Sequence, residues 1–332
     1  MLAEILQIVV PLPWQAEHWG QLHERREQKA LPHALLLRGV GGTGKGQFAL
    51  AFSQYLLCQS PVGRVACGKC KSCLLMKAGS HPDLKIVEPE EKGKAIKIDQ
   101  IREVVELSGK SAQFGGYRVI VIAPTESMNV NASNALLKCL EEPGENTVML
   151  LITHQVSGVM ATIRSRCQSL DFPLPKTDHA IHWLSSVISD PERANLLISV
   201  AGGAPLRALE LEQREWLKDR QDILRAWIGV LKGQVDPIVV AEQWAKYPLS
   251  DLFTWLQAWQ IDLGKVVAGG DSAVLNQDLL PHFKEMSRIC SPNKVFDFYN
   301  YLLELGRMAA SSSNPNPQLL LEQLLIRWSE TG

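Results

Sequence analysis

The sequence predicts an α/β N-terminal domain with a mostly parallel sheet, followed by helical segments to the end of the chain. Three observations predict it. Short apolar runs alternate with helical patterns over the first half, as strand–helix–strand units do. A glycine-rich loop, Gly39-Val40-Gly41-Gly42-Thr43-Gly44-Lys45-Gly46, follows one of those runs and opens a helix. Beyond Pro173-Leu174-Pro175 strand signals all but vanish and helical periodicity takes over.

Taken in order, Ala34–Arg38 reads as a short buried strand and Gln47–Leu57 as the helix after the glycine loop. Leu84–Val87 is the second strand. Ile98–Leu107 is helical, with Asp99 as its expected N-cap and apolar residues at 101, 104, 105 and 107. Arg118–Ala123 is rich in β-branched residues and reads as a central strand. Asn131–Glu142 is helical and stops at Pro143, and Val148–Thr153 is a further buried strand. Helices between consecutive strands imply parallel pairing through right-handed crossovers. The expected organisation is an N-terminal domain over 1–176, a small helical domain over 177–208 and a larger helical domain over 209–332. Gly202-Gly203-Ala204-Pro205 interrupts the helical region once. Trp216, Trp227, Trp244, Trp255, Trp259 and Trp328 read mainly as packing residues, with some available to partner subunits.

Composition excludes several classes. The chain has 332 residues, 46% hydrophobic and 21% charged, which rules out disordered and collagen-like proteins and allows a core without disulfide staples. Net charge is −1, so no overall basic character points to nucleic acid. Residues 1–175 carry 19 basic and 16 acidic side chains and the remainder 15 and 19, a mild asymmetry. No apolar run approaches the roughly 18 residues a membrane helix needs. The first ten residues contain Glu4 and no basic residue, unlike a secretory signal. A soluble, cytoplasmic protein with no membrane partner is expected.

The glycine loop fits G-x-x-x-x-G-K from Gly39 to Lys45. In such a loop backbone N–H groups curl around phosphate, the helix N-terminus adds partial positive charge, and the lysine reaches the outer phosphates. Magnesium also needs a Ser or Thr hydroxyl after the lysine and an acidic residue at the end of a buried strand. The chain has Gly46 at the first position and Ala123-Pro124 at the second, with Glu126 the first carboxylate beyond. Efficient ATP hydrolysis is not expected. Two readings of the loop stand: an ATP- or ADP-binding loop without hydrolysis, and a glycine turn kept for strand–helix packing.

Of seven cysteines, Cys58, Cys67, Cys70 and Cys73 are spaced C-x₈-C-x₂-C-x₂-C. Four thiolates close a tetrahedral Zn²⁺ site with no open position, so the expected metal is structural. Lys69 and Lys71 are expected to favour thiolate, and Cys58 to anchor the module to the preceding helix. Cys139, Cys167 and Cys290 are isolated and expected to pack. The eight histidines show no ligand spacing, and His81, His154 and His179 are expected to be exposed or capping.

Four segments resemble one family. Leu31-Pro32-His33-Ala34-Leu35-Leu36-Leu37 enters the glycine loop, and the cysteine module follows its helix. Asn134-Ala135-Leu136-Leu137-Lys138-Cys139-Leu140-Glu141-Glu142-Pro143 and Ile163-Arg164-Ser165-Arg166-Cys167 come next, in the same order. Over about residues 30–208 the chain resembles the bacterial DNA polymerase III clamp-loader family of AAA+ proteins. The resemblance implies an AAA+, P-loop NTPase-like first domain with a zinc module, a helical lid and an all-α collar. Gly46 and Ala123-Pro124 match the family's non-hydrolysing subunit type. The intact Gly39–Lys45 loop is closer to a working motor than that type requires. The alternative is the ATP-hydrolysing gamma/tau-type motor, for which Glu126 would have to supply the missing carboxylate.

The resemblance also implies residue roles. Arg166 becomes an arginine finger reaching the ATP site of a neighbouring subunit, beside the plainer reading of a residue that only makes a local salt bridge. Thr153 matches the sensor-1 position and Arg207 lies near sensor 2, beside the bland readings of a satisfied strand-end hydroxyl and a surface arginine. Arg164 reads as surface charge, and Glu141-Glu142 as helix-end residues rather than an acid/base pair. Implied partners are gamma/tau and delta subunits, and, through the assembly, a sliding clamp and primer–template DNA. A zinc-ribbon nucleic-acid binder is the third reading, supported by Lys69, Lys71 and Lys77 but lacking interleaved aromatics.

Overall fold

Five parallel strands form one sheet in the computed structural model, in the order β2-β3-β4-β1-β5. They are β1 (Ala34–Arg38), β2 (Leu84–Val87), β3 (Arg118–Ile122), β4 (Thr147–Thr153) and β5 (Gln168–Asp171). The structure describes residues 2, 7–91, 93–213, 216–309 and 315–332, with Leu217 described in its backbone alone. Glu4, used in the leader argument, lies outside them.

Both faces of the sheet are covered, which is why its central strands β1, β3 and β4 read as continuous apolar runs rather than alternating ones. Leu35, Leu37, Val119, Val121, Leu150 and Ile152 point to one side. There they meet Trp19 and Leu22 of α1 (Ala16–Glu27) and Phe48 and Phe52 of α2 (Lys45–Leu57). Leu36, Ile120, Ile122, Met149 and Leu151 point to the other side. There they meet α4 (Ile98–Ser108), α5 (Val130–Glu141) and α6 (Ala161–Arg164), through Ile101, Val104, Leu136, Leu140 and Ile163. On the α1/α2 side the short helix α3 (Lys71–Lys77) packs through Cys73 and Met76 and carries the last cysteine of the module.

Three predicted boundaries move for identifiable reasons. Asp99 is not the N-cap of α4. Lys97 takes that place and its N–H is satisfied by Gln100 Oε1 at 3.0 Å, while Asp99 pairs with Arg102 in the first turn. α5 begins one residue before the predicted start because Asn129 Oδ1 accepts the Ala132 N–H at 2.8 Å. β3 ends at Ile122, before Ala123-Pro124. Edge strand β5 and helices α1 and α3 carry no strong apolar run and escaped the pattern reading.

One compact unit comprises residues 1–180 with 204–207 and the other 181–203 with 208–332. Among the described residues, no strand follows Asp171. In the second unit the helices Trp216–Leu231, Pro237–Trp244, Leu249–Val267, Pro292–Ala309 and Pro317–Ser329 enclose an aromatic core. Trp227 and Trp328 stack at 4.1 Å with an interplanar angle of 8°, and Trp328 Nε1 donates to the Trp227 carbonyl at 2.9 Å. All six tryptophans of this region are buried, so the packing reading holds and none is left at the surface for a partner.

Candidate functional site

The glycine loop joins β1 to α2 and is closed by its own chain. Gly44, the residue before α2, has φ 87°, a conformation that suits glycine. A side chain there would also meet Leu12 Cδ1 at 2.3 Å. Gln15 Nε2 donates to the carbonyls of Thr43 and Gly44, and Trp14 Nε1 donates to Thr43 at 3.0 Å. On another side Leu206 N–H donates to the Gly42 carbonyl at 3.0 Å, and a Cβ on Gly42 would lie 2.9 Å from Arg207 Cβ.

Lys45 is 2% exposed, and its ammonium donates to the carbonyls of Gly39 and Val40, each at 2.6 Å. Desolvation pulls its pKa down to about 8, against an opposing pull from the charge of Glu126. Gly46 faces Leu2: a Cβ on Gly46 would come within 2.6 Å of Leu2 Cδ2. Leu2 N–H is in turn anchored on Glu88 Oε1 at 2.8 Å. Hydrocarbon therefore lies where a side chain of residue 46 would begin.

Magnesium does not fit this arrangement. Gly46 offers no hydroxyl, and the residues after β3 are Ala123 and Pro124. The nearest carboxylate along the chain, Glu126, is held by the His154 N–H at 2.8 Å through Oε1, with Oε2 buried and unpartnered among the described residues. Thr153 ends β4 fully buried and its Oγ1 accepts the Gln155 N–H at 3.2 Å.

The four module cysteines come together with all Sγ atoms within 4.8 Å of one another. Cys58–Cys70 and Cys67–Cys73 are 3.9 Å apart, and Cys58–Cys73 is 3.6 Å. A tetrahedron of sulfurs about 2.3 Å from a central Zn²⁺ has edges of about 3.8 Å. The donor set and its size fit that ion. Backbone N–H groups of Lys69 and Cys70 lower the Cys67 thiol to about 6, whereas burial raises Cys58 and Cys73. The groups that favour thiolate most at Cys67 are backbone amides. Lys71 lies 5.8 Å over the Phe114 ring, and Lys77 donates to the Gly68 carbonyl.

Behind the module, His81 corrects its predicted exposure: it is 5% exposed and bonded to Ser72 Oγ at 2.8 Å. Its Nδ1 accepts the Asp83 N–H, so Nε2 donates to Ser72, which donates to the Leu57 carbonyl. Burial lowers the His81 pKa, consistent with this neutral relay. The relay ties the module to the end of α2. As predicted, His154 and His179 are exposed and Cys139, Cys167 and Cys290 are buried.

Two family models match the chain, one described as DNA polymerase III, delta subunit, over residues 14–176, the other as its C-terminal region over 214–330. A DNA polymerase III subunit delta' from Pseudomonas aeruginosa is 38% identical over 320 residues, covering 96% of this chain and 97% of its own. The chain belongs to the DNA polymerase III delta-prime family. The delta' subunit of Escherichia coli K12 is 30% identical over 95% of this chain and 94% of its own. A DNA polymerase III subunit tau from Bacillus subtilis is 28% identical over 78% of this chain but 46% of its own.

In this delta-prime family chain, the first unit brings Gly39, Gly44, Lys45 and Arg207 to one loop. Arg166 belongs to a different cluster, after α6. Its Nη2 lies 2.6 Å from Glu141 Oε1 and its Nη1 donates to the Thr162 carbonyl at 3.1 Å. Pattern reading missed the Leu2 cover, the Gln15 and Trp14 bonds to the loop, and the Glu141 contact. Only Glu141 carried a signal, as part of the Asn134–Pro143 motif.

Proposed function

We propose that this chain is a non-hydrolysing stator of the DNA polymerase III clamp loader. It would hold a fixed place beside gamma/tau-type motor subunits and a delta subunit, and help them load a sliding clamp onto primed DNA during replication. Its first domain would be of the AAA+ type, with residues 177–208 as lid and 209–332 as the collar that joins subunits. Arg166 would act in trans, its guanidinium stabilising charge that develops on the γ-phosphate bound by a neighbour. The membership in the delta-prime family supports the assembly. The observation that carries the non-hydrolysing reading is the absence of both magnesium-holding side chains, at Gly46 and at Ala123-Pro124.

ATP or ADP could enter the Gly39–Lys45 loop only if Lys45 exchanged two carbonyl bonds for phosphate. Thr153 and Arg207 would then flank that loop as remnants of the sensor positions. Cys58, Cys67, Cys70 and Cys73 would hold a structural Zn²⁺, which closes the module and supplies no reactive position. Among the described residues no helix is long and apolar enough to cross a membrane, and the proposed place of work is the cytoplasm, at the replisome.

Steady-state phosphate release by the chain alone, with Mg²⁺ and ATP, tests this reading beside a Lys45→Ala control. No release above the control is expected. Robust release that disappears in the control would instead identify a motor.

A further inference from the structure

Arg166 and Glu141 are displayed from two anchors that share one core. On the arginine side, Ile163 and Cys167 are buried among the residues packed against the sheet. On the glutamate side, Cys139 and Leu140 belong to that same cluster. Glu141 is the last residue of α5, and the chain beyond it is pinned where Gly144 approaches Ser108: a Cβ there would stand 1.9 Å from the Ser108 carbonyl oxygen. The ion pair between these anchors has side-chain exposures of 37% for Arg166 and 51% for Glu141. It is open to an approaching partner, and both terminal nitrogens of the guanidinium are already engaged, one by the Thr162 carbonyl and one by the carboxylate.

We infer that Glu141 is a positioning residue for Arg166. The Thr162 carbonyl takes one N–H of Nη1 and Glu141 one N–H of Nη2, and both contacts stay in place while the three remaining N–H groups of the guanidinium are free to meet a neighbour's phosphate. The inference rests on the proposed role of Arg166 in trans. Two effects of Glu141 oppose each other: its charge repels the phosphate, and it keeps a long side chain from sampling many rotamers. Solvent screens the repulsion at so exposed a site, while fixing a free arginine at the moment of reaction is costly, so the ordering effect is the larger one.

The test uses the full chain reconstituted with motor subunits, clamp and primed DNA. Glu141→Ala should lower the stimulated kcat about two- to fivefold, the scale of an exposed charge pair. KM for ATP and the Tm of the chain should stay unchanged, because a pair this exposed contributes little to folding. Glu141→Asp, which keeps the carboxylate, should recover at least half of the loss. Glu141→Ala combined with Arg166→Ala should be no slower than Arg166→Ala alone. An unchanged or raised kcat in Glu141→Ala, with Arg166→Ala still slow, overturns the inference and leaves the role of Arg166 standing. Extra loss in the double variant overturns it as well, since Glu141 would then act by another route. Full activity of Arg166→Ala overturns the underlying role and this inference together.

Discussion

Leu2 lies against Gly46 so closely that a methyl group on residue 46 would come within 2.6 Å of its Cδ2. The position that would carry a magnesium-binding hydroxyl is therefore covered as well as lacking a side chain. Gly46→Thr supplies the hydroxyl without clearing the space. The expected result is no gain in phosphate release, because Ala123-Pro124 still offers no carboxylate, and a destabilisation of at most about 1 kcal/mol, because the end of the Leu2 side chain can swing aside. Denaturant unfolding and a phosphate assay check both parts, and hydrolysis appearing in this variant would refute the account of the loop.

Lys45 links the loop to pH. Its folded pKa is lowered to about 8 from 10.5, with desolvation the first cause. A lysine lowered in the folded state is protonated more readily when unfolded, so its contribution to stability rises with pH between 8 and 10.5. Wild type should gain on Lys45→Met across that window, by up to about 2–3 kcal/mol. The comparison cancels other groups that titrate there. A pH-independent difference between the two proteins would contradict the buried, charged lysine.

The cysteine module should bind one Zn²⁺ per chain. Elemental analysis checks the stoichiometry, and strong chelation should lower Tm and free four additional thiols. Cys67→Ser should reduce metal content sharply and loosen the loop from Cys58 to Cys73 while the sheet remains folded. Metal-free protein with seven freely titrating thiols would rule the site out.

Asp83 and Arg118 form a buried ion pair behind that module, at 3.2 Å, with side-chain exposures of 0% and 4%. Asp83 also accepts the N–H groups of Gln113 and Phe114, and Arg118 donates to the carbonyls of Leu107, Lys110 and Ser111. Asp83→Ala leaves a guanidinium buried without its counter-charge, and should cost about 3–5 kcal/mol in urea unfolding. A loss below about 1 kcal/mol would mean that the carbonyls alone satisfy Arg118.

Much of the first domain was legible in the sequence because its physics is local. Strands such as β3 are covered on both faces, so every residue from Val119 to Ile122 is β-branched and the run stands out. β5 was not legible, since Gln168–Asp171 pairs on one side alone and keeps polar residues. The four thiols were readable from spacing, and they lie within 4.8 Å of one another, with three of the separations at 3.6–3.9 Å. The closure of the loop was not readable. Leu2, Leu12 and Gln15 reach Gly44 and Gly46 across some thirty to forty-five residues, and a leucine that covers a glycine has no pattern of its own.

The central claim is that this chain hydrolyses nothing itself and completes a neighbour's site through Arg166. The DNA- and clamp-stimulated ATPase rate of the reconstituted assembly, with Arg166→Ala in this chain alone, tests it most directly. A marked fall in kcat with normal assembly is the predicted result, and an unchanged rate in an intact assembly would contradict it.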